Sequence, residues 1–240
     1  MITIVPARLK SERLPNKPLL EIDGKPMIVH TVERILESGL QPVAVATDSQ
    51  KILDACAHLE GFIPVITSDK HTCGTERVLE AYESLAKDYG DFDLIVNVQG
   101  DEPFIEPEML KTLQKELNNR KNLAEFWTTV AELPEYDGQD INVAKVVLDM
   151  KQNALIFTRD NISNAWKHTS VYVYTPKFLK KFCSLSPSPL EQAYRLEQMR
   201  ALDNGLTLNC IPLPFDAVSI NTIEDLKKAG VSNYTVNRDN

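Results

Sequence analysis

The sequence predicts an α/β protein with a doubly wound, mostly parallel sheet and a small lobe over the sheet edge. Two observations carry this. Short β-branched runs alternate with helix-length stretches whose apolar residues recur at helical spacing, and the loops between them are short, which places parallel strands side by side with helices on both faces.

In chain order, Ile2-Thr3-Ile4-Val5 reads as a buried strand. A turn over 21–26 leads into a helix that Pro26 can open, running to about Ser38 with Ile28, Val32, Ile35 and Leu36 on one face and Gly39 ending it. Residues 42–47 form a second strand, Asp48 or Ser49 caps a helix with Ile52, Leu53 and Cys56 inward, and residues 64–67 form a third strand. A loop over 68–77 feeds a helix carrying Val78, Leu79, Tyr82 and Leu85, and the strand over 94–98 ends in Gln99-Gly100-Asp101-Glu102-Pro103. Further on come a helix from 107 to about 117, strands over 124–130, 142–149, 154–159 and 171–174, and helices over 176–182 and 189–204. Strands over 208–211 and 217–220 and a helix starting near Thr222 complete one domain over 1–231. The region from about 120 to 200 forms the small lobe, and the polar tail 232–240 is expected to fray.

With 240 residues the chain can bury a substantial core, and its 43% hydrophobic and 25% charged content is that of an ordinary globular protein. A formal charge of −8 argues against nucleic acid as a partner, so any basic site must be local. Cys56, Cys73, Cys183 and Cys210 are widely spaced with no C-x-x-C pair, which indicates neither a zinc site nor a disulfide framework and suits a reducing cytoplasm. No apolar run approaches the ~18 residues of a membrane span, and the first strand leaves no room for a leader, so a cytoplasmic location with no membrane partner is expected.

The local basic site is the loop after the first strand, where Arg8, Lys10, Arg13 and Lys17 fall within ten residues. It leaves from the carboxyl end of that strand, the edge where open α/β sheets bind ligands. Each cation contributes roughly 4 kcal/mol of attraction to a phosphate at ~4 Å and an effective dielectric of ~20, before desolvation. Pro6, Pro15 and Pro18 stiffen the loop and lower the entropy cost of presenting Arg8, Arg13 and Lys17 together. On composition alone a solvated basic loop explains these residues equally well. Gly74-Thr75 at a helix start can offer free backbone N–H groups with Arg77 one turn on, although a simple cap accounts for the same pattern. Asp101 and Glu102 after a buried strand make a candidate divalent-cation site, or an ordinary turn.

Taken together, Pro6-Ala7-Arg8 with Ser11-Glu12-Arg13-Leu14-Pro15-Asn16-Lys17-Pro18-Leu19, Gly24-Lys25-Pro26-Met27-Ile28, Ala46-Thr47-Asp48 and Gly74-Thr75-Glu76-Arg77 form an ordered set. With Asn97-Val98-Gln99-Gly100-Asp101-Glu102-Pro103, Lys145-Val146-Val147-Leu148-Asp149 and Leu196-Glu197-Gln198-Met199-Arg200, it resembles the 3-deoxy-manno-octulosonate cytidylyltransferase (CMP-KDO synthetase) family over nearly the whole chain. The resemblance implies a nucleotide-diphospho-sugar transferase-like fold that joins CTP to the anomeric hydroxyl of an acidic 3-deoxy sugar, releasing pyrophosphate, with magnesium (Mg2+). It implies that Arg8, Arg13 and Lys17 hold the triphosphate, with Arg13, Lys17 and Asp101 the catalytic residues and Lys17 neutralising charge on the α-phosphate and leaving pyrophosphate. Gly74 and Arg77 would sit by the cytosine, and Asp101 would ligate the metal. Gln99, Arg159, His168, Tyr172, Glu197 and Gln198 match positions of the sugar pocket, and the lobe would serve sugar binding and dimerisation in a homodimer.

Departures are also visible. Asn221 stands where the family carries a second metal-ligating aspartate; its amide oxygen can coordinate magnesium but adds no charge. Ser170 replaces a glycine, Cys73 a serine and Tyr194 a glutamate, and the segment 160–167 is shorter than the family's loop. These leave two alternatives: another acidic acceptor, such as an amino-substituted octulosonate or a sialic-type acid, or a CTP-binding paralogue impaired in catalysis. A generic sugar-phosphate nucleotidylyltransferase is disfavoured, because the Gly-x-Gly-Thr-Arg loop of those enzymes is missing.

Overall fold

β1 (Ile2–Ala7) is buried along its whole length, as a β-branched strand covered on both faces must be. The computed structural model describes residues 1–11, 13–120 and 124–236. It divides into two compact units, Met1–Lys111 with the chain from Ala217 onward, and Thr112–Asp216.

In the first unit β1 is followed by a hairpin, β2 (Glu21–Ile22) and β3 (Lys25–Pro26), where the sequence suggests only a turn. Asp23 at φ 51° and Gly24 at φ 79° supply the two positive-φ positions that a tight hairpin requires. Helix α1 (Met27–Ser38) ends at Gly39, whose φ of 77° is a left-handed cap. Then come β4 (Val43–Thr47), α2 (Gln50–Cys56), β5 (Phe62–Ile66), α3 (Gly74–Tyr89) and β6 (Ile95–Val98). Ser49 takes the cap position of α2 but its side chain makes no capping bond, which leaves Asp48 for other work. The four long strands run parallel in the order β6-β1-β4-β5, with Thr3 opposite both Val43 and Val96. Chain order therefore runs outward from β1 to β5 and then returns to the other side of β1. With right-handed crossovers this reversal puts helices on both faces, and it leaves a crevice at the carboxyl ends of β1 and β6. Helix α4 (Pro107–Arg120) leads out of this unit.

The expected strand over 217–220 does not form. Its polar groups go instead to the turn after β6, with Ile220 N donating to Asp101 O at 2.9 Å and the Ser219 hydroxyl to the Glu102 carboxylate. The helix Ile223–Lys228 follows, closed by a capping box between Thr222 and Asp225. Within the tail, Tyr234–Thr235 pairs with β2, because Tyr234 and Val236 pack on a cluster of Leu14, Leu20, Ile22, Met27, Ile220 and Leu226. Residues 237–240 of the expected frayed tail lie outside the described residues, as does Glu12 of the basic loop.

In the second unit β7 (Phe126–Ala131) is central, followed by α5 (Glu135–Gly138), β8 (Lys145–Leu148), β9 (Ala154–Thr158) and β10 (Trp166–Tyr174). The unit ends with α6 (Pro176–Ser184), α7 (Pro189–Tyr194), α8 (Met199–Asp203) and β11 (Asn209–Pro212). β11 is parallel to β7, β10 antiparallel to it, and β8 and β9 continue antiparallel from the start of β10. The single helix expected over 189–204 is broken in two at Arg195, which lies in the left-handed region at φ 53°. The break lets Arg200, 1% exposed, turn back to meet Glu191 through two bonds of 2.8 and 2.6 Å and stack over the Phe182 ring at 5.0 Å. Glu191→Ala removes the carboxylate that neutralises this buried guanidinium. It is expected to lower the unfolding free energy by about 3–5 kcal/mol, read as a fall in urea midpoint with an unchanged slope.

Candidate active site

The carboxyl ends of β1 and β6 open into a cavity of about 310 Å³. Gly100 allows the two ends to close up: its N–H donates to Pro6 O at 3.3 Å, and a Cβ there would lie 3.1 Å from that oxygen and 3.1 Å from Ile28 Cδ1. The basic loop forms one wall. Leu14 and Pro18 are buried beneath it and Asn16, at φ 53°, starts a 3-10 turn over Lys17–Leu19, so its apolar residues anchor it while Arg8 and Arg13 stay exposed.

Eight of the residues singled out in the sequence line this cavity: Arg8, Arg13, Lys17, Gly74, Arg77, Gln99, Asp101 and Asn221. The Lys17 ammonium donates to Asp101 Oδ2 at 2.5 Å and to Asn221 Oδ1 at 3.1 Å, and Arg13 Nη2 donates to the same Asn221 oxygen at 2.9 Å. Arg8, Arg13, Lys17 and Arg77 thus line the cavity against the single carboxylate of Asp101, a surplus of positive charge suited to a polyanion. Gly74 opens α3 opposite Gln99, whose Oε1 would be 3.2 Å from a Cβ at that position; the Gln99 amide donates to Asn97 Oδ1 at 2.9 Å. Arg77 is only 3% exposed, and its guanidinium donates to Thr67 Oγ1 at 2.5 Å and Asp48 Oδ2 at 3.1 Å.

The remaining sequence-predicted residues belong to the second unit. His168 is buried on β10, and Thr128 Oγ1 lies 2.8 Å from its Nε2. That hydroxyl spends its proton on Val171 O at 2.9 Å, so it accepts from His168, which is the neutral Nε2–H tautomer. Tyr172 OH donates to Gln198 Oε1 at 3.1 Å, while the buried Gln198 Nε2 has no hydrogen-bond partner among the described residues. Arg159 donates to Ile141 O and Asn142 O at 3.2 and 2.7 Å, and Glu197, half-buried, accepts through its backbone from Arg200 N. Ser170, where the resemblance leads one to expect glycine, sits at φ 56° inside the β10 bulge between His168 and Tyr172, a left-handed conformation that favours glycine.

Residues 2–208 match the family model described as Cytidylyltransferase. The chain belongs to this family. Among relatives of this cytidylyltransferase, the 3-deoxy-manno-octulosonate cytidylyltransferase of a Nitratiruptor species is 39% identical over 238 residues, 95% of this chain and 98% of that one. That of Methylococcus capsulatus is 39% identical over 246 residues, 94% of each. A solved structure of CMP:2-keto-3-deoxy-manno-octonic acid synthetase complexed with CTP superposes with a TM-score of 0.83 at 31% identity, covering 95% of both chains. The fold class expected from the sequence is thereby confirmed.

Two side-chain roles at or beside the cavity escaped the sequence reading. His71 lines the wall, its Nε2 against Glu80 and its Nδ1 3.9 Å from Glu76, both on the first turns of α3. Asp48, read as a helix cap, accepts from Leu9 N at 3.0 Å as well as from Arg77. An aspartate directly after a buried parallel strand was the available signal. Among the described residues no cluster of three or more His, Cys, Asp or Glu side chains is placed to hold a metal, and no helix is long and apolar enough to cross a membrane.

Burial, reinforced by the Arg159 charge, pushes the His168 pKa down from 6.5 to about 3. The unfolded chain therefore takes up this proton first on acidification, and the stability contributed by neutral His168 is complete above pH 6.5 and lost toward pH 3. In urea unfolding at a series of pH values, His168→Gln is expected to remove a slope of up to about 1.4 kcal/mol per pH unit below that upper limit.

Proposed function

We propose that this chain is a 3-deoxy-manno-octulosonate cytidylyltransferase: it joins CTP to the anomeric hydroxyl of that acidic sugar and releases pyrophosphate. The observation that carries the proposal is the convergence of Arg8, Arg13 and Lys17 on the cavity that Gly74 and Asp101 also line. A triphosphate and a sugar carboxylate repel each other, and this surplus of cations offsets the repulsion.

In the reaction the acceptor's hydroxyl oxygen bonds to the α-phosphorus of CTP, the hydroxyl proton passes to solvent, and the bond from that phosphorus to the bridging oxygen breaks, so that oxygen and its electron pair leave with the pyrophosphate. Arg8 and Arg13 hold the phosphates, Lys17 neutralises charge on the α-phosphate and the leaving group, and Gly74 lets the base approach the start of α3. For the acceptor, the support is the likeness to the 3-deoxy-manno-octulosonate cytidylyltransferases over nearly the whole chain. The Asp101 and Asn221 oxygens both face the Lys17 ammonium, so a magnesium ion, which needs only one or two protein oxygens when phosphates supply others, would take that place once Lys17 turns to the phosphates. Asp101 and Asn221 would hold the ion, which would supply positive charge to the phosphates and lower the pKa of the attacking hydroxyl. A cytoplasmic homodimer completes the proposal, to be checked by light scattering.

The decisive experiment is a pyrophosphate-release assay with CTP, magnesium and a panel of ulosonic acids. Turnover fastest with 3-deoxy-manno-octulosonate supports the proposal. Preference for an amino-substituted or sialic-type acid would move the acceptor, and CTP binding without turnover on any acid would sink the activity. Lys17→Met is expected to lower kcat by about 10²–10³-fold. Asn221→Asp adds a charge to the metal donors and is expected to lower the magnesium concentration for half-maximal rate by about tenfold, read from rate against magnesium.

A further inference from the structure

We infer that Asp48 is a positioning residue that sets the spacing between the two nucleotide-holding walls of the cavity. This rests on the proposed function and deepens it.

Asp48 follows the last residue of β4, on a turn stiffened by Ser49 N donating to Thr47 Oγ1 at 3.2 Å. Its two oxygens are divided between two walls. Oδ1 accepts from Leu9 N at 3.0 Å, next to Arg8 on the loop that takes the triphosphate. Oδ2 accepts from Arg77 Nη2 at 3.1 Å, and Arg77 projects from the first turn of α3, whose opening Gly74 faces the base. Arg77 is tied again to the end of the neighbouring strand through Thr67, so its wall is fixed to the sheet. One carboxylate thus links the two walls through the rigid end of a central strand.

The surroundings of Asp48 assign it to this tie. Both oxygens already accept bonds from donors in the protein, the α2 cap position is held by Ser49, and the Asp48 side chain is only 12% exposed. Its carboxylate also absorbs the Arg77 charge, which leaves Arg8, Arg13 and Lys17 to the phosphates. CTP must touch both walls at once, so its affinity depends on their spacing, whereas pyrophosphate touches one wall only.

The test uses two variants of the full chain. Asp48→Asn keeps an oxygen for Leu9 but turns an N–H donor toward Arg77. Asp48→Glu keeps the charge opposite Arg77 and displaces the oxygen that meets Leu9, so it strands no buried cation and serves if the first variant fails to fold. In the Asn variant the KM for CTP is expected to rise about tenfold while kcat at saturating CTP stays within about threefold. In both variants CTP affinity by calorimetry should fall by a larger factor than affinity for pyrophosphate, and in the Glu variant deuterium exchange at the Leu9 amide should accelerate. Folded variants with unchanged KM, or with equal losses for CTP and pyrophosphate, would overturn the inference. Failure of the unaltered enzyme to turn over CTP would overturn the functional reading instead, and Leu9 exchange in the Glu variant would still decide whether the tie exists.

Discussion

The constraint that assembles the site in the first unit is the Lys17 ammonium, held between the Asp101 carboxylate and the Asn221 amide oxygen. These groups come from three segments, 84 and 204 residues from Lys17 along the chain. The basic loop must fold over the end of β1, the turn after β6 must approach β1 through Gly100, and the returning chain must dock by its Ile220 N–H on Asp101 O. Each step uses a separate device: buried Leu14 and Pro18, a missing Cβ, and a backbone hydrogen bond. The ion pair fixes the point where they meet.

The site also shows how one residue type is split between two tasks. Arg77 is buried, neutralised by Asp48 and bonded to Thr67, and so supports the wall, whereas Arg8 and Arg13 are exposed on the loop. A buried guanidinium needs a partner to offset desolvation, and an exposed one retains its charge for a ligand. In sequence the three arginines look alike. Only burial distinguishes them.

The second unit places its polar residues in a drier setting. His168 is held neutral by burial and by the Arg159 charge, and Gln198 Nε2 has no hydrogen-bond partner among the described residues. Ser170 in a left-handed conformation between His168 and Tyr172 is a local cost of the β10 bulge, accepted where a glycine would be unstrained.

The sequence alone determined the alternating α/β order, the basic loop at the end of the first strand and the set of motifs by which the family is recognised, since periodicity, turn residues and charge spacing are local properties of the chain. It did not reveal the strand order that makes β1 and β6 neighbours, the break at Arg195, the docking of residues 217–220 or the tie through Asp48. Those were decided by tertiary structure, because each depends on groups far apart in the chain meeting in a desolvated setting, where an unmade bond costs more than a local preference supplies.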